Sequence, residues 1–430
     1  MKTLRALPLL ALCLMLACLS ATGVRDPAGG GGFERFLDGR AAYGGRSLAA
    51  GPDGGFLALG DRDHDDGMGR DLVLAALGAG GEVAWERRYG GPGDESAACL
   101  VPLADGGHLL VGQVRVPALR GAARAGAGGG ISSVAAGAVG GGIAAGTVPR
   151  TEADGLAVRL DAAGEVVWSE TYGGPGYDAF YAAAVHGDGF VLAGWRGVNE
   201  GDLWLLRVDG QGAEDWSRAY GGDGVDWAAD VAVTPAGAIA VAGTFDRTTG
   251  PGDMRRGKIW ALLADAAGDT LWSRTFGSET IIHQGTAVIL DGEARVVVAG
   301  QGEPPQQSYT FSSRLMALDM AGGLLWSRDW LGDGNAQAQA VALVPGGGFL
   351  VSGSTYVEIY AGRAFLLRTD DEGLPVADAR FDPPAGPYLT GNGVLVDGPG
   401  SCVVAGTHML AIGAPWTEWW LRRLALPAAP

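Results

Sequence analysis

The sequence predicts an all-β chain: a seven-bladed β-propeller of four-stranded antiparallel blades, closed by its N-terminal strand pairing with the C-terminal blade. Three observations lead there. A tryptophan-centred phrase recurs along the chain. Each copy is followed by a short apolar strand that ends near glycine. An Asp-x-x-Gly turn then leads from a further strand into the next tryptophan.

The phrase reads Trp85-Glu-Arg-Arg-Tyr-Gly-Gly, and returns from Trp168, Trp216, Trp272 and Trp326, with weaker copies at Ala377 to Phe381 and Phe33 to Leu37. Trp85 and Tyr89 are four apart, so both side chains leave one side of an extended strand, which suits packing between neighbouring blades. The glycine-terminated strands are Phe56 to Gly60, Leu109 to Gly112, Phe190 to Gly194, Ile239 to Gly243, Val296 to Gly300, Phe349 to Gly353 and Val403 to Gly406. A third strand, as in Leu203 to Asp209, enters the turn held by Asp161, Asp209, Asp265, Asp319 and Asp370. A carboxylate there accepts backbone N–H groups, and the glycine supplies positive φ.

Four short strands reused at roughly 50-residue spacing match a propeller, whose closed ring leaves few exposed edges. The ordered chain begins with an outer-strand copy, Phe33 to Leu37, and stops at a third strand, Trp419 to Leu424, so these two are expected to pair and complete the last blade. With strands lettered a to d from the axis to the rim, the tryptophan strand is d.

The unit resembles the Trp-containing propeller repeats of secreted bacterial and archaeal proteins, of the form W-x-x-x-Y-G-G, then D-G-G-F-L-V-A-G, then W-L-L-R-L-D. More loosely it is similar to the tryptophan repeats of quinoprotein dehydrogenases and of the propeller lipoprotein in the outer-membrane barrel assembly machinery. The resemblance implies architecture and export more than activity. Against a quinoprotein, the chain has no adjacent cysteine pair, its Asp-to-Trp hairpin is one residue shorter than that family's docking motif, and it lacks the length for eight blades with catalytic insertions.

The chain has 430 residues with no sign of two unlike halves, and 76 glycines coexist with abundant Val, Leu, Ala and Trp, as many strands on tight turns require. Its net charge is -17, from 48 acidic and 31 basic residues, which excludes a phosphate-neutralising face and hence nucleic acid as partner. Residues 1–22 read as a signal peptide: Lys2 and Arg5 precede an apolar run from Ala6 to Leu19. Met15-Leu16-Ala17-Cys18 resembles a lipobox, so lipidation of Cys18 and ordinary cleavage near Ala21 or Gly23 both stand. Residues 23–32 form a Gly-rich linker, residues 33–425 the propeller and residues 426–430 a tail. The chain is expected to be an exported monomer, in the periplasm, on the outer membrane or secreted, touching a membrane only through a lipid anchor. Cys99 and Cys402 fall in non-adjacent blades and are expected to stay unpaired.

The a-to-b and c-to-d turns are short, whereas length varies between strands b and c, at Asp61 to Arg70, Val114 to Asp154, Phe245 to Gly257, Gln301 to Ser312, Thr355 to Gly362 and Thr407 to Thr417. An Ala/Gly-rich insertion at about residues 117–152 has no core pattern and reads as floppy. Function is expected on this loop-rich face, around the channel mouth. Glu95, Asp178 and Asp226 share one repeat position at the start of strand a, beside the channel. They suit either a hard cation or the capping of their own loops. Asp61, Asp63 and Asp65 alternate before Gly67 as in calcium loops, without the distal glutamate, so Ca²⁺ and a solvated acidic loop are the alternatives. His64, His283 and His408 share the face and either converge on a metal or are scattered. Tyr177, Trp227, Tyr309, Phe311, Tyr356, Tyr360 and Trp416 form a recognition platform or anchor the loops.

No nucleophile elbow, P-loop or Cys/His metal spacing occurs. The favoured reading is a non-catalytic extracytoplasmic binding or scaffold protein, presenting its loop-rich face to a protein or glycan of the cell envelope. The alternative is a metal-assisted polysaccharide hydrolase or lyase with its site at the channel mouth, and a quinone-cofactor enzyme is the third.

Overall fold

The computed structural model describes residues 32–41, 47–63, 69–91, 93–115, 153–197, 201–249, 255–278, 283–302, 311–332, 334–358, 361–410 and 417–426. The leader with Cys18, nearly all of the Gly-rich linker, the Ala/Gly-rich insertion, His64, Asp65, Tyr309, Tyr360, Trp416 and the last four residues lie outside these.

The chain begins with β1 (Phe33–Ala41). Four strands follow, β2 (Ser47–Ala50), β3 (Phe56–Asp63), β4 (Arg70–Leu77) and β5 (Val83–Tyr89). The next four are β6 (Asp94–Pro102), β7 (His108–Arg115), β8 (Asp154–Leu160) and β9 (Val166–Tyr172). Three separate four-stranded sheets come after them. The first holds β10 (Tyr177–His186), β11 (Gly189–Gly197), β12 (Gly201–Val208) and β13 (Glu214–Tyr220). The second holds β14 (Val225–Val233), β15 (Ile239–Thr249), β16 (Arg255–Ala264) and β17 (Thr270–Phe276). The third holds β18 (Gln284–Asp291), β19 (Arg295–Gly302), β20 (Ser312–Asp319) and β21 (Leu324–Trp330). Then come β22 (Asn335–Leu343), β23 (Phe349–Glu358), β24 (Ala361–Thr369) and β25 (Pro375–Phe381), the two-residue β26 (Tyr388–Leu389), β27 (Gly393–Gly398), β28 (Ser401–Met409) and β29 (Thr417–Ala425).

Each set of four is an antiparallel meander. The first two sets are bridged into one sheet by a single parallel pair, Arg70 with Asp94. The final sheet joins β22 to β25 with β27 to β29 through β26, and β1 completes it by pairing antiparallel with β29, from Phe33 opposite Arg423 to Leu37 opposite Trp419. The expected pairing of Phe33 to Leu37 with Trp419 to Leu424 is therefore present.

The second and third strands of a set are the most deeply buried, as the continuous runs of buried residues in β3, β4, β12 and β19 show. Packed on both faces, such strands read as unbroken apolar segments. The outermost strands, β5 and β21, alternate exposed and half-buried positions. The cores lie between sets. Leu57, Leu59, Leu72 and Leu74 meet Leu110, Leu156 and Val158 of the next set. Phe33 and Leu37 share a cluster with Phe56, Val73, Val403 and Trp419, which unites the beginning and the end of the chain.

The Asp-x-x-Gly turns form as the sequence requires. One carboxylate oxygen of Asp319 accepts N–H groups from Ala321 at 2.9 Å and Gly323 at 2.8 Å. Asp161, Asp209, Asp265 and Asp370 do the same in their turns. These turns also receive the outer strand of the preceding set. The indole of Trp272 donates to the carbonyl of Met320 at 2.9 Å, and Arg274 Nε to that of Gly322 at 3.1 Å. Trp168 donates likewise to Gly210, and Tyr89, Tyr172 and Tyr220 donate to Gly164, Gly212 and Gly268. Gly322 has φ +81°, and a Cβ there would come within 2.8 Å of the Trp272 ring, so both backbone and neighbour demand glycine.

Candidate functional site

Alternation of strand direction sends the second-to-third-strand connections and the Tyr-Gly-Gly connections out at one end of every set. Of the expected site residues, Glu95, Asp178 and Asp226 all stand one residue inside a first strand and are buried. Their surroundings answer what they do. Asp178 Oδ2 accepts the N–H of Gly174 at 2.6 Å. Asp226 Oδ2 accepts that of Gly222 at 2.7 Å, and its Oδ1 that of Asp246 at 2.6 Å. Burial raises the Asp226 pKa against the lowering effect of these N–H groups. The Glu95 carboxylate lies against Gly90 and Gly93 of its own Tyr-Gly-Gly loop. Each acid thus braces the loop that leads into its strand.

His283 occupies the same repeat position. Ser278 N donates to its Nε2 at 3.0 Å, which makes Nε2 the acceptor and assigns the ring proton to Nδ1. An imidazole lone pair here replaces a carboxylate oxygen in the same loop-bracing role.

The remaining acids and histidines are placed differently from the sequence expectation. Asp61 is a fully buried residue of β3 rather than a loop residue, and it is ion-paired with Arg70 Nη1 at 2.9 Å. Arg70 Nε lies 3.3 Å from Asp63, so a guanidinium stands between the two acids of the calcium reading. His408 belongs to β28, buried, with Nδ1 2.9 Å from Glu418 and Nε2 against the carbonyl of Ala385. His283 and His408 are held within different sets, and no group of three or more His, Cys, Asp or Glu placed to hold a metal occurs among the described residues.

The aromatics divide. Tyr356 is a β23 residue packed 5.9 Å from the Tyr388 ring, and burial raises its hydroxyl pKa. Tyr177 donates to Gln113 Oε1, lies 5.0 Å from the Trp195 ring and has the Arg115 guanidinium 5.5 Å from its centre. Trp227, with Arg247 5.2 Å from its ring centre, reaches the wall of a cavity.

That cavity, about 520 Å³, lies where the sequence expects a channel, but apart from Trp227 its lining residues are not the expected site residues. It is walled by β2, β6, β10, β14, β18, β22 and β27, the first strands of all the sets, and none of Glu95, Asp178 and Asp226 lines it. Its polar groups are mainly carboxamides, Gln284, Gln301, Gln337, Gln339 and Asn392. Gln301 Nε2 donates to Gln284 Oε1 at 2.7 Å. Asp230 stands at the β-bulge of its strand, a position that holds Ala182, Ala287 and Ala340 in other sets. Its carboxylate bridges two sets, accepting N–H from Val231 at 2.9 Å and from Val288 at 2.8 Å. Burial pushes the Asp230 pKa up to about 6 despite those bonds. Cys99 shares the wall, and burial pushes its thiol up to about 12; it and Cys402 are both free. A signal was available in Asn335-Ala-Gln-Ala-Gln-Ala, where strict polar alternation marks a strand with one wet face.

No protein-family model matches the sequence, and no curated relative matches it. Among solved structures, the WD40 domain of Neurospora crassa Pan2 is similar at 10% identity with a TM-score of 0.52, covering 90% of this chain and 91% of that one. A protein of unknown function from Dyadobacter fermentans is similar at 14% identity with a TM-score of 0.51, covering 94% of this chain and 99% of its own. Likeness at these identities concerns fold alone. Four-stranded antiparallel sets repeated along the chain and the likeness to a WD40 domain together make this a β-propeller repeat fold.

Proposed function

We propose that the protein is an exported, non-catalytic binding propeller, with seven blades closed into a ring, that meets a protein or glycan of the cell envelope at its loop-bearing end. The observation that carries the reading is the single cavity walled by the first strand of every set, which a ring produces and an open array does not. Closure is further supported at the seam. Arg35 Nε donates to the carbonyl of Gly81 at 2.6 Å, as Arg274 does to Gly322, and Phe33 lies on Gly81 as Trp272 lies on Gly322. A binding role fits acids that are engaged by their own loop amides, and loops are where a rigid scaffold carries recognition.

The test is capture from envelope extracts and on a glycan array by the mature chain, beside variants with residues 250–254, 303–310 or 411–416 replaced by short Gly-Ser links. Loss of captured partner in at least one variant is expected. Undiminished capture by all of them overturns the placement of the site.

A further inference from the structure

We infer that the axial cavity is a binding site for a small neutral saccharide, held by carboxamides and an aromatic wall. This goes beyond the loop-end reading, resting only on its closed ring, and adds a separate site inside that ring.

The argument runs by matching chemistry. At about 520 Å³ the cavity falls in the range of small-molecule sites, roughly 300–1,000 Å³. No Lys or Arg is among its lining residues, so an anion finds no countercharge. Asp230 is the only acid among its described lining residues, and each of its carboxylate oxygens already accepts a backbone N–H group, so a metal or polyamine finds a single, already engaged carboxylate rather than a cluster. Polar lining disfavours an apolar ligand, because amides desolvated without partners are costly.

What remains are groups that offer donors and acceptors together. A carboxamide presents two N–H donors and a carbonyl acceptor in one plane, which complements the paired donor and acceptor character of neighbouring hydroxyls. The Gln284–Gln301 bond fixes both side chains and leaves the Gln284 amide donors and the Gln301 carbonyl for a ligand. Gln337 and Gln339 of β22, on either side of Ala338 at the strand's bulge, both bring carboxamides to the cavity wall. Trp227 and Tyr181 supply aromatic surface on the same wall, and Tyr181 is 37% exposed although it sits within a strand. Planar hydrogen-bonding groups beside aromatic rings suit a pyranose, which has hydroxyls at its rim and C–H groups on its faces.

The experiment titrates the mature chain with glucose, N-acetylglucosamine and cellobiose, with citrate and spermidine as charged controls, by calorimetry and tryptophan fluorescence. At least one saccharide is expected to bind saturably. Gln337→Leu and Gln339→Leu should each weaken it by about tenfold with the unfolding midpoint held. The loop variants described above should retain it, so failure of the loop-face reading and failure of this one are distinguishable. Absence of saccharide binding, binding unchanged in the Gln337→Leu/Gln339→Leu double variant, or preference for citrate or spermidine overturns the inference. Should the leucine variants misfold, Gln339→Glu, which keeps the shape but removes both donors, serves in their place.

Discussion

Replacing Gly322 with alanine tests whether the tryptophan strand of one set is locked by the turn of the next. The backbone at φ +81° is left-handed, and an L side chain there costs about 1–2 kcal/mol. The new Cβ would also lie 2.8 Å from Trp272 Cδ2 and 2.9 Å from its Cγ. The indole cannot withdraw freely, because its Nε1 is bonded to the Met320 carbonyl. Overpacking of this kind adds about 1–3 kcal/mol, for a total of about 2–5. Gly292 provides the control: φ is +61°, but nothing lies within 4 Å of a Cβ, so Gly292→Ala should cost only the backbone share. Equilibrium urea unfolding followed by fluorescence and far-UV circular dichroism measures both. In a Trp272→Ala background the excess at Gly322 should vanish. Equal losses at Gly322 and Gly292, or an excess that survives removal of the indole, would refute the locking argument.

Phe33→Ala removes a buried ring from the seam between β29 and Gly81 and should cost about 3–5 kcal/mol by the same assay; a loss below about 1 kcal/mol contradicts the seam as described. Asp319→Ala leaves two turn N–H groups without their acceptor and should cost about 1–2 kcal/mol, with Asp319→Asn restoring part of it. Asp230 has a folded pKa of about 6 against an ordinary value near 4, so the fold favours its protonated form. Its contribution is fully present below about pH 4 and is lost as pH rises through about 6. Asp230 is partly buried on the cavity wall and keeps two N–H partners, so the change is about 1–2 kcal/mol, and stability measured from pH 4 to 7 should lose that slope in Asp230→Asn.

The repeat was legible because turn chemistry and strand packing are local. Asp319 and Gly322 specify a turn within four residues, and Trp272 with Phe276 declares an outer strand within five. Even the partner of β1 could be read, since an outer-strand copy stood without its set and the last set stood without an outer strand. The candidate site was less legible. Asp178 and Asp226 stayed open between a hard-cation site and the capping of their own loops, because both uses put an acid at a strand start and only the positions of the loop N–H groups separate them. His408 and Asp61 read as loop residues in the sequence because each follows the glycine that ends the repeated strand motif, whereas β28 and β3 continue beyond Gly406 and Gly60. The carboxamides of the cavity were overlooked because Gln284, Gln301, Gln337 and Asn392 are distant in sequence and meet only when several first strands face one axis.

The forward-reaching tryptophan has a bearing on biosynthesis. Trp168 finds its acceptor 42 residues later and Trp272 finds its own 48 residues later, so during vectorial synthesis each of these outer strands can be secured soon after the following turn leaves the ribosome. Arg35 is served as early, by Gly81. The contrast comes from bonds such as those from Trp420 to Glu34 and from Arg423 to Ala79, which span 386 and 344 residues. Growth therefore proceeds by short-range increments with low loop-closure entropy, while the first strand waits, already docked on one side, as the template that the last-made strand must find.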